Sequence, residues 1–261
     1  MYSDVFLLRV LLSFIVGGLY IGGTIRLSEK VGSKLGGLLI GMPSIVLVGL
    51  IFIAWTQNSA ALAEATSIMP ATIAASTIFL VTFILLQRFG IAVAYVGALS
   101  IWFALNLPLV FYRVTHLGVA ILIAAVLLAI STAFFHKQKD RNLREFKLSQ
   151  RAFILRIVFS GLLVAFAVFI ARKAGPIWGG LFTSFPAAFS ATVLILARTH
   201  GFGFTAAVSR TMVSGNLVNI IFVCGVNLLV ASLGSAGALA LAYLICVVFA
   251  VFSYRYIIPR I

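Results

Sequence analysis

Gly32-Ser33-Lys34-Leu35-Gly36-Gly37-Leu38-Leu39-Ile40-Gly41-Met42-Pro43 returns as Gly175-Pro176-Ile177-Trp178-Gly179-Gly180-Leu181-Phe182-Thr183-Ser184-Phe185-Pro186. Both stretches read Gly-x3-Gly-Gly-Leu-x4-Pro, and they stand 143 residues apart. The offset holds without a gap from about residue 32 to 86, pairing Ala54 with Ala197, Thr56 with Thr199, Met69 with Met212, Phe79 with Phe222 and Leu85-Leu86 with Leu228-Leu229. One offset kept that long marks a tandem duplication. In an apolar chain such a duplication is the mark of channel and transporter folds, whose sites lie where the repeats meet.

The chain is apolar throughout. Of 261 residues 63% are hydrophobic and 9% charged, with a mean hydropathy of +1.21, far from the roughly even split of a soluble domain. An integral membrane protein is implied. At about 20 residues per helical span the length allows about ten helices with short loops. Apolar runs set against charged or Gly/Pro punctuation place spans near 5–25, 36–55, 66–87, 91–112, 116–135, 152–171, 177–198, 206–231 and 236–257. Asp4 precedes the first run with no basic n-region or cleavage site, so that run is expected to stay as a helix.

Orientation follows from charge. Between residues 137 and 151, Lys137, Lys139, Arg141, Arg144, Lys147 and Arg151 outnumber Asp140 and Glu145, which places this loop in the cytoplasm. Alternation then puts Arg26, Lys30, Lys34, Arg88, Arg198, Arg255 and Arg260 inside. Only four of the 19 basic residues, Arg9, Arg113, Arg172 and Lys173, fall outside. The N-terminus is therefore expected outside and the C-terminus inside. The net charge of +14 serves orientation and anionic headgroups; no basic run is interleaved with aromatics as a nucleic-acid groove requires.

The first four spans match the last four, and the fifth has no counterpart. An odd connecting helix inverts the second unit. The expected fold is all-α and polytopic: about nine transmembrane helices in a 4+1+4 inverted-topology repeat. Repeat 1 covers residues 1–115, the connecting span and basic loop 116–151, and repeat 2 residues 152–261.

Within the motif, Gly36-Gly37 and Gly179-Gly180 permit close helix approach or non-helical backbone. Pro43 and Pro186 suit a helix's first turn better than its interior. Two structures fit: a kinked helix whose glycines pack on a neighbour, or an irregular stretch whose helix starts at proline. In the second, two uncapped N-termini converge near mid-bilayer and suit a carboxylate or other oxyanion. Ser44, Thr183 and Ser184 adjoin the prolines, with Ser190 and Thr192 a turn beyond. Asn216 and Asn219 lie on one face of the eighth span, after Gly215; such amides either bond across helices or line a wet cavity. The candidate substrate site is therefore Gly36, Gly37, Pro43, Ser44, Gly179, Gly180, Thr183, Ser184, Pro186, Asn216 and Asn219. Hydroxyls there can equally bond back to their own helix.

All five acids, Asp4, Glu29, Glu64, Asp140 and Glu145, fall at ends or in loops, which argues against coupling through a membrane carboxylate. Arg198, His200 and Arg210 read as cytoplasmic anchors or anion recruiters, and His116 and His136 as interfacial residues without metal spacing. Cys224 and Cys246 sit in apolar stretches and read as packing thiols. No nucleophile elbow, phosphate loop, zinc motif or acid pair is present, so neither enzyme activity, cofactor nor metal is expected.

The repeated Gly-Gly-Leu-x4-Pro segment, at Gly36-Gly37-Leu38…Pro43 and Gly179-Gly180-Leu181…Pro186, resembles the GlpM family of four-span bacterial inner-membrane proteins, loosely over residues 6–112 and 152–257. That family has been linked to alginate production. The resemblance implies a role connected with the envelope, here in two fused units that once could have paired antiparallel. The expected function is a small secondary transporter or permease for a small polar or anionic solute. The alternative is a non-transporting accessory to envelope polysaccharide synthesis, with envelope-synthesis proteins or a second copy as partner. Either would reside in the inner (cytoplasmic) membrane, with the lipid bilayer as its constant partner and no nucleic acid.

Overall fold

The computed structural model describes residues 4–30, 43–136 and 150–256. All regular structure among them is helical: α1 (Asp4–Lys30), α2 (Ser44–Thr56), α3 (Ser59–Ser67), α4 (Met69–Leu86), α5 (Ile91–Phe111), α6 (Leu117–His136), α7 (Gln150–Lys173), α8 (Pro176–Thr183), α9 (Ala187–Thr199) and α10 (Phe202–Tyr256). Seven stretches of these helices are long and apolar enough to cross a bilayer. The chain has the build of a polytopic membrane protein.

The longest stretch, Phe202–Phe252, has 51 residues, more than twice one crossing. It folds back at Gly234, whose φ of 67° and ψ of 179° only glycine adopts without strain. Gly225 meets Ala242, the Phe222 and Tyr243 rings lie 6.2 Å apart, and Cys246 Sγ sits 3.4 Å from the Val218 carbonyl oxygen. These pairs straddle the turn evenly, so α10 consists of two antiparallel arms. The first half of the chain uses the same device at Gly90 (φ 106°), where α4 and a short 3-10 turn give way to α5.

α1 and α7 cross antiparallel. Phe6 faces Phe169 at 6.4 Å, and the Arg26 guanidinium lies 4.4 Å from the Phe153 ring. At the crossing, Gly18 receives Ile157, and Gly161 receives Phe14. Gly18 and Gly161 are counterparts at the 143-residue offset, as are Phe14 and Ile157. The exchange is reciprocal, the contact pattern that a two-fold axis imposes on matching surfaces. The same relation recurs at the centre, where Asn216 Nδ2 donates to the carbonyl of its own counterpart, Ile73, at 3.1 Å.

Burial grades from centre to rim. The α3–α4 stretch is 83% buried and α6 only 17%. α6 is held from outside by a 2.7 Å Thr77–Ser131 hydroxyl pair and by Phe135. One core cluster gathers α2, α3, α7, the start of α4 and both arms of α10; the other gathers the rest of α4 with α5, α8, α9, the end of α6 and the start of α10. Exposed leucines, valines and phenylalanines on the outer faces suit acyl chains as neighbours.

Candidate functional site

The motif's second copy builds a discontinuous helix. Gly175, at φ 109°, lets the chain enter α8 with Pro176 in the first turn. The helix stops after Thr183, residues 184–186 leave the helical path, and α9 resumes at Ala187 behind Pro186. Each structure foreseen from sequence is met in part: the stretch before proline is helical and not irregular, and the helix is interrupted and not merely kinked. Gly179 and Gly180 pack, since a Cβ on Gly179 would overlap Ala171 and one on Gly180 the Ala65 carbonyl oxygen. The helix restarts at proline.

The first copy matches where it is described. Pro43 stands before α2 with φ −74° and ψ 59°, against −75° and 46° at Pro186. The first ladder bonds run from Leu47 N to the Pro43 oxygen and from Ser190 N to the Pro186 oxygen, both 2.8 Å. Neither start has a side-chain cap. Gly36 and Gly37 lie outside the described residues. α2 runs antiparallel to α8, with Gly49 on Thr183 and Ile53 on Gly179. At about 1.5 Å per residue, this sets the two proline starts within roughly 5 Å of one level. Their N-terminal amides, unsatisfied within the ladder, add positive potential there.

The other candidates fall into two groups. Thr183 and Ser184 bond back to the Gly179 and Gly180 carbonyls at 2.7 and 2.9 Å. Ser44, half-buried, opens α2. Asn216 is buried and ties α10 to α4. Asn219 reaches only its own helix, 3.4 Å from the Gly215 oxygen, whereas Asn227 spans to α3 through the Ala63 carbonyl and Thr66 hydroxyl at 2.7 and 2.9 Å. The helix that Asn216 grips, α4, also touches the break. One turn beyond Ile73, Ser76 Oγ lies 3.5 Å from the Ser184 carbonyl oxygen and accepts from Trp102 Nε1 at 3.2 Å.

Three residues at this place escaped the sequence reading. Trp102 is fully buried, with its ring 5.3 Å from Phe185 in the break; a tryptophan at mid-span, away from the interfaces where this residue collects, was the available signal. Asn106, one turn on, donates to the Trp102 carbonyl at 2.6 Å while its buried Oδ1 has no partner among the described residues. Arg156, which sequence placed with the cytoplasmic charges, extends Nη2 to the Ala188 oxygen and Thr192 Oγ1 at 3.1 and 2.7 Å, inside the first turns of α9. Its position within the apolar Phe153–Lys173 stretch was legible.

Residues 10–117 match the family model described as Protein of unknown function (DUF3147). The match spans the first repeat, from within α1 to the start of α6. No curated protein and no solved structure matches the chain.

The arrangement offers hydrogen bonds and positive potential. Buried Ser190 Oγ, one turn beyond Pro186, has no partner among the described residues, and neither does Asn106 Oδ1. Native interiors pair such atoms. Among the described residues no three of His, Cys, Asp and Glu gather as metal ligands would.

Proposed function

We propose that this chain is a small inner-membrane permease for a small oxyanion or polar solute, with nine spans in a 4+1+4 inverted repeat, the N-terminus outside and the C-terminus inside. The observation that carries the reading is the discontinuous α8–α9 helix, matched by the proline start of α2 and packed against it. Paired helix starts near mid-membrane are how inverted-repeat transporters hold anionic substrates. The reciprocal α1–α7 contacts and the Ile73–Asn216 crossing support the inverted relation. Arg156 strengthens the preference for an anion, because a guanidinium beside a helix N-terminus puts two positive fields together. The resemblance to GlpM proteins adds the envelope as setting.

The accessory role is the second reading, and one observation favours it: Asn216 and Asn227 spend their amides on carbonyls of neighbouring helices. A thermal-shift screen of the purified chain against carboxylates, phosphates, sugars and amino acids separates the two. For a permease, an oxyanion raises Tm, with about 2.7 kcal/mol at a hundredfold excess over Kd. Arg156→Gln weakens that response about tenfold, as loss of charged hydrogen bonds does, and the same oxyanion enters liposomes. No shift across the panel, with Ser184→Cys unreactive to thiol reagents from either side, transfers the assignment to the accessory role.

A further inference from the structure

A concavity lies at the far end of α4, away from the break. There α4 passes into the Gln87–Phe89 turn, α6 ends at His136, and α10 begins at Phe202 after Gly201, whose φ is 76°. The three ends enclose a bowl of about 360 Å³, within the size range of small-molecule sites. Its wall is apolar: Ile84, Leu85, Phe134, Phe202 and Ala206. Leu85 and Phe202 are 54% and 41% exposed, so the wall opens sideways, where acyl chains would run.

The rim has the opposite character. Gln87 and Arg88 stand there, and the buried Gln87 Oε1 has no partner among the described residues. Arg88 rests 4.7 Å over the Phe89 ring and meets no carboxylate among the described residues. Gly203 brings in the start of α10. The first ladder bond of that helix runs from Thr205 N to the Gly201 oxygen, so the Phe202, Gly203 and Phe204 amides precede the ladder. A cation and a helix N-terminus thus adjoin an apolar wall.

We propose that the bowl is a binding site for a phospholipid with an anionic headgroup. One acyl chain lies along Leu85, Phe134 and Phe202. The headgroup phosphate meets Arg88 and the amides at the start of α10, and the headgroup hydroxyls reach Gln87. A zwitterionic lipid fills the wall equally well but brings an ammonium to a site that already holds a guanidinium and a positive helix end. The preference is therefore for net negative charge. This site is separate from the α8–α9 break, and it does not depend on transport.

Native mass spectrometry of the full-length chain, titrated with equimolar phosphatidylglycerol and phosphatidylcholine of identical acyl chains, tests it whichever way the chain inserts. The first lipid retained is expected to be phosphatidylglycerol, by about fivefold, the contribution of one basic side chain near anionic headgroups. Arg88→Gln brings the two lipids to parity. Arg113→Gln, at the opposite end of α5, leaves the preference intact. The proposal fails if the wild type does not discriminate, if Arg88→Gln still does, or if Arg113→Gln abolishes discrimination equally. It fails too if millimolar inorganic phosphate displaces the lipid, since the bowl would then be a soluble-anion site.

Discussion

α2 and α9 begin alike and continue differently. Each starts behind a proline with nearly the same backbone angles, and each has 13 residues. α2 then runs Ser-Ile-Val-Leu-Val-Gly-Leu-Ile-Phe-Ile-Ala-Trp-Thr, apolar after its first residue until its last. α9 runs Ala-Ala-Phe-Ser-Ala-Thr-Val-Leu-Ile-Leu-Ala-Arg-Thr and places Ser190, Thr192 and Arg198 where α2 has Leu47, Gly49 and Trp55. The same asymmetry stands at the central crossing, with Ile73 facing Asn216. The duplicated geometry has been kept, whereas the polar positions have diverged: α9 and Asn216 carry them in the second repeat, and Thr72 and Thr77 in the first, where the second has Gly215 and Ile220. A symmetric scaffold needs only matching backbones to pack, so side chains that make no reciprocal contact are free to diverge.

The largest test of that separation is Gly180→Ala. Its added Cβ runs into the Ala65 backbone, which cannot rotate away, so a loss of about 2–3 kcal/mol is expected for this overpacking. Gly23→Ala, with nothing within 4 Å and inside α1, is the control and is expected not to lower Tm, since alanine favours a helix interior over glycine. Equal behaviour of the two in thermal unfolding would remove close packing as the reason for the motif's second glycine. Making the repeats more alike at the crossing has a smaller effect. Asn216→Ile gives repeat 2 the residue of repeat 1, removes the bond to the Ile73 carbonyl and is expected to lower stability by about 1 kcal/mol, within the range of interhelical hydrogen bonds in membranes. Its thermal shift with the solute should persist from a correspondingly lower starting Tm, because Asn216 acts here as a tie.

The smallest change carries the opposite sign. Ser190→Ala deletes a buried hydroxyl that has no partner among the described residues and is expected to raise stability by about 0.5 kcal/mol. If Ser190 serves the solute, the same variant weakens the thermal shift by the oxyanion. A destabilised Ser190→Ala would mean that the hydroxyl is already satisfied, and the contrast between α2 and α9 would lose its functional meaning.

The legible part of this molecule was the part written in periodicity and punctuation. The repeat, the apolar runs and the helix starts at Pro43 and Pro186 follow from local residue types. Residues 232–235, left between two expected spans, contain the turn at Gly234. What sequence did not yield are pairings between spans that lie far apart in the chain. Trp102 finds Ser76, and Arg156 finds Ala188 and Thr192, because helices cross there, and no local pattern encodes a crossing. Asn216 stood among the candidates for its chemistry, but its partner is a backbone carbonyl, which every residue offers equally.

The reciprocal meeting of α1 with α7 has a consequence for how the molecule comes together. Each repeat presents the other with the glycine notch and the residue that fills it, so the recognition lies in the two crossing surfaces and not in the stretch of chain that joins them. Severed between residues 136 and 150, the two fragments would still carry complete complementary faces and would be expected to reassemble when made together in one membrane. In the proposed inverted arrangement the tether's contribution is stoichiometry: it delivers one copy of each half and spares the cell from inserting a single subunit in two orientations.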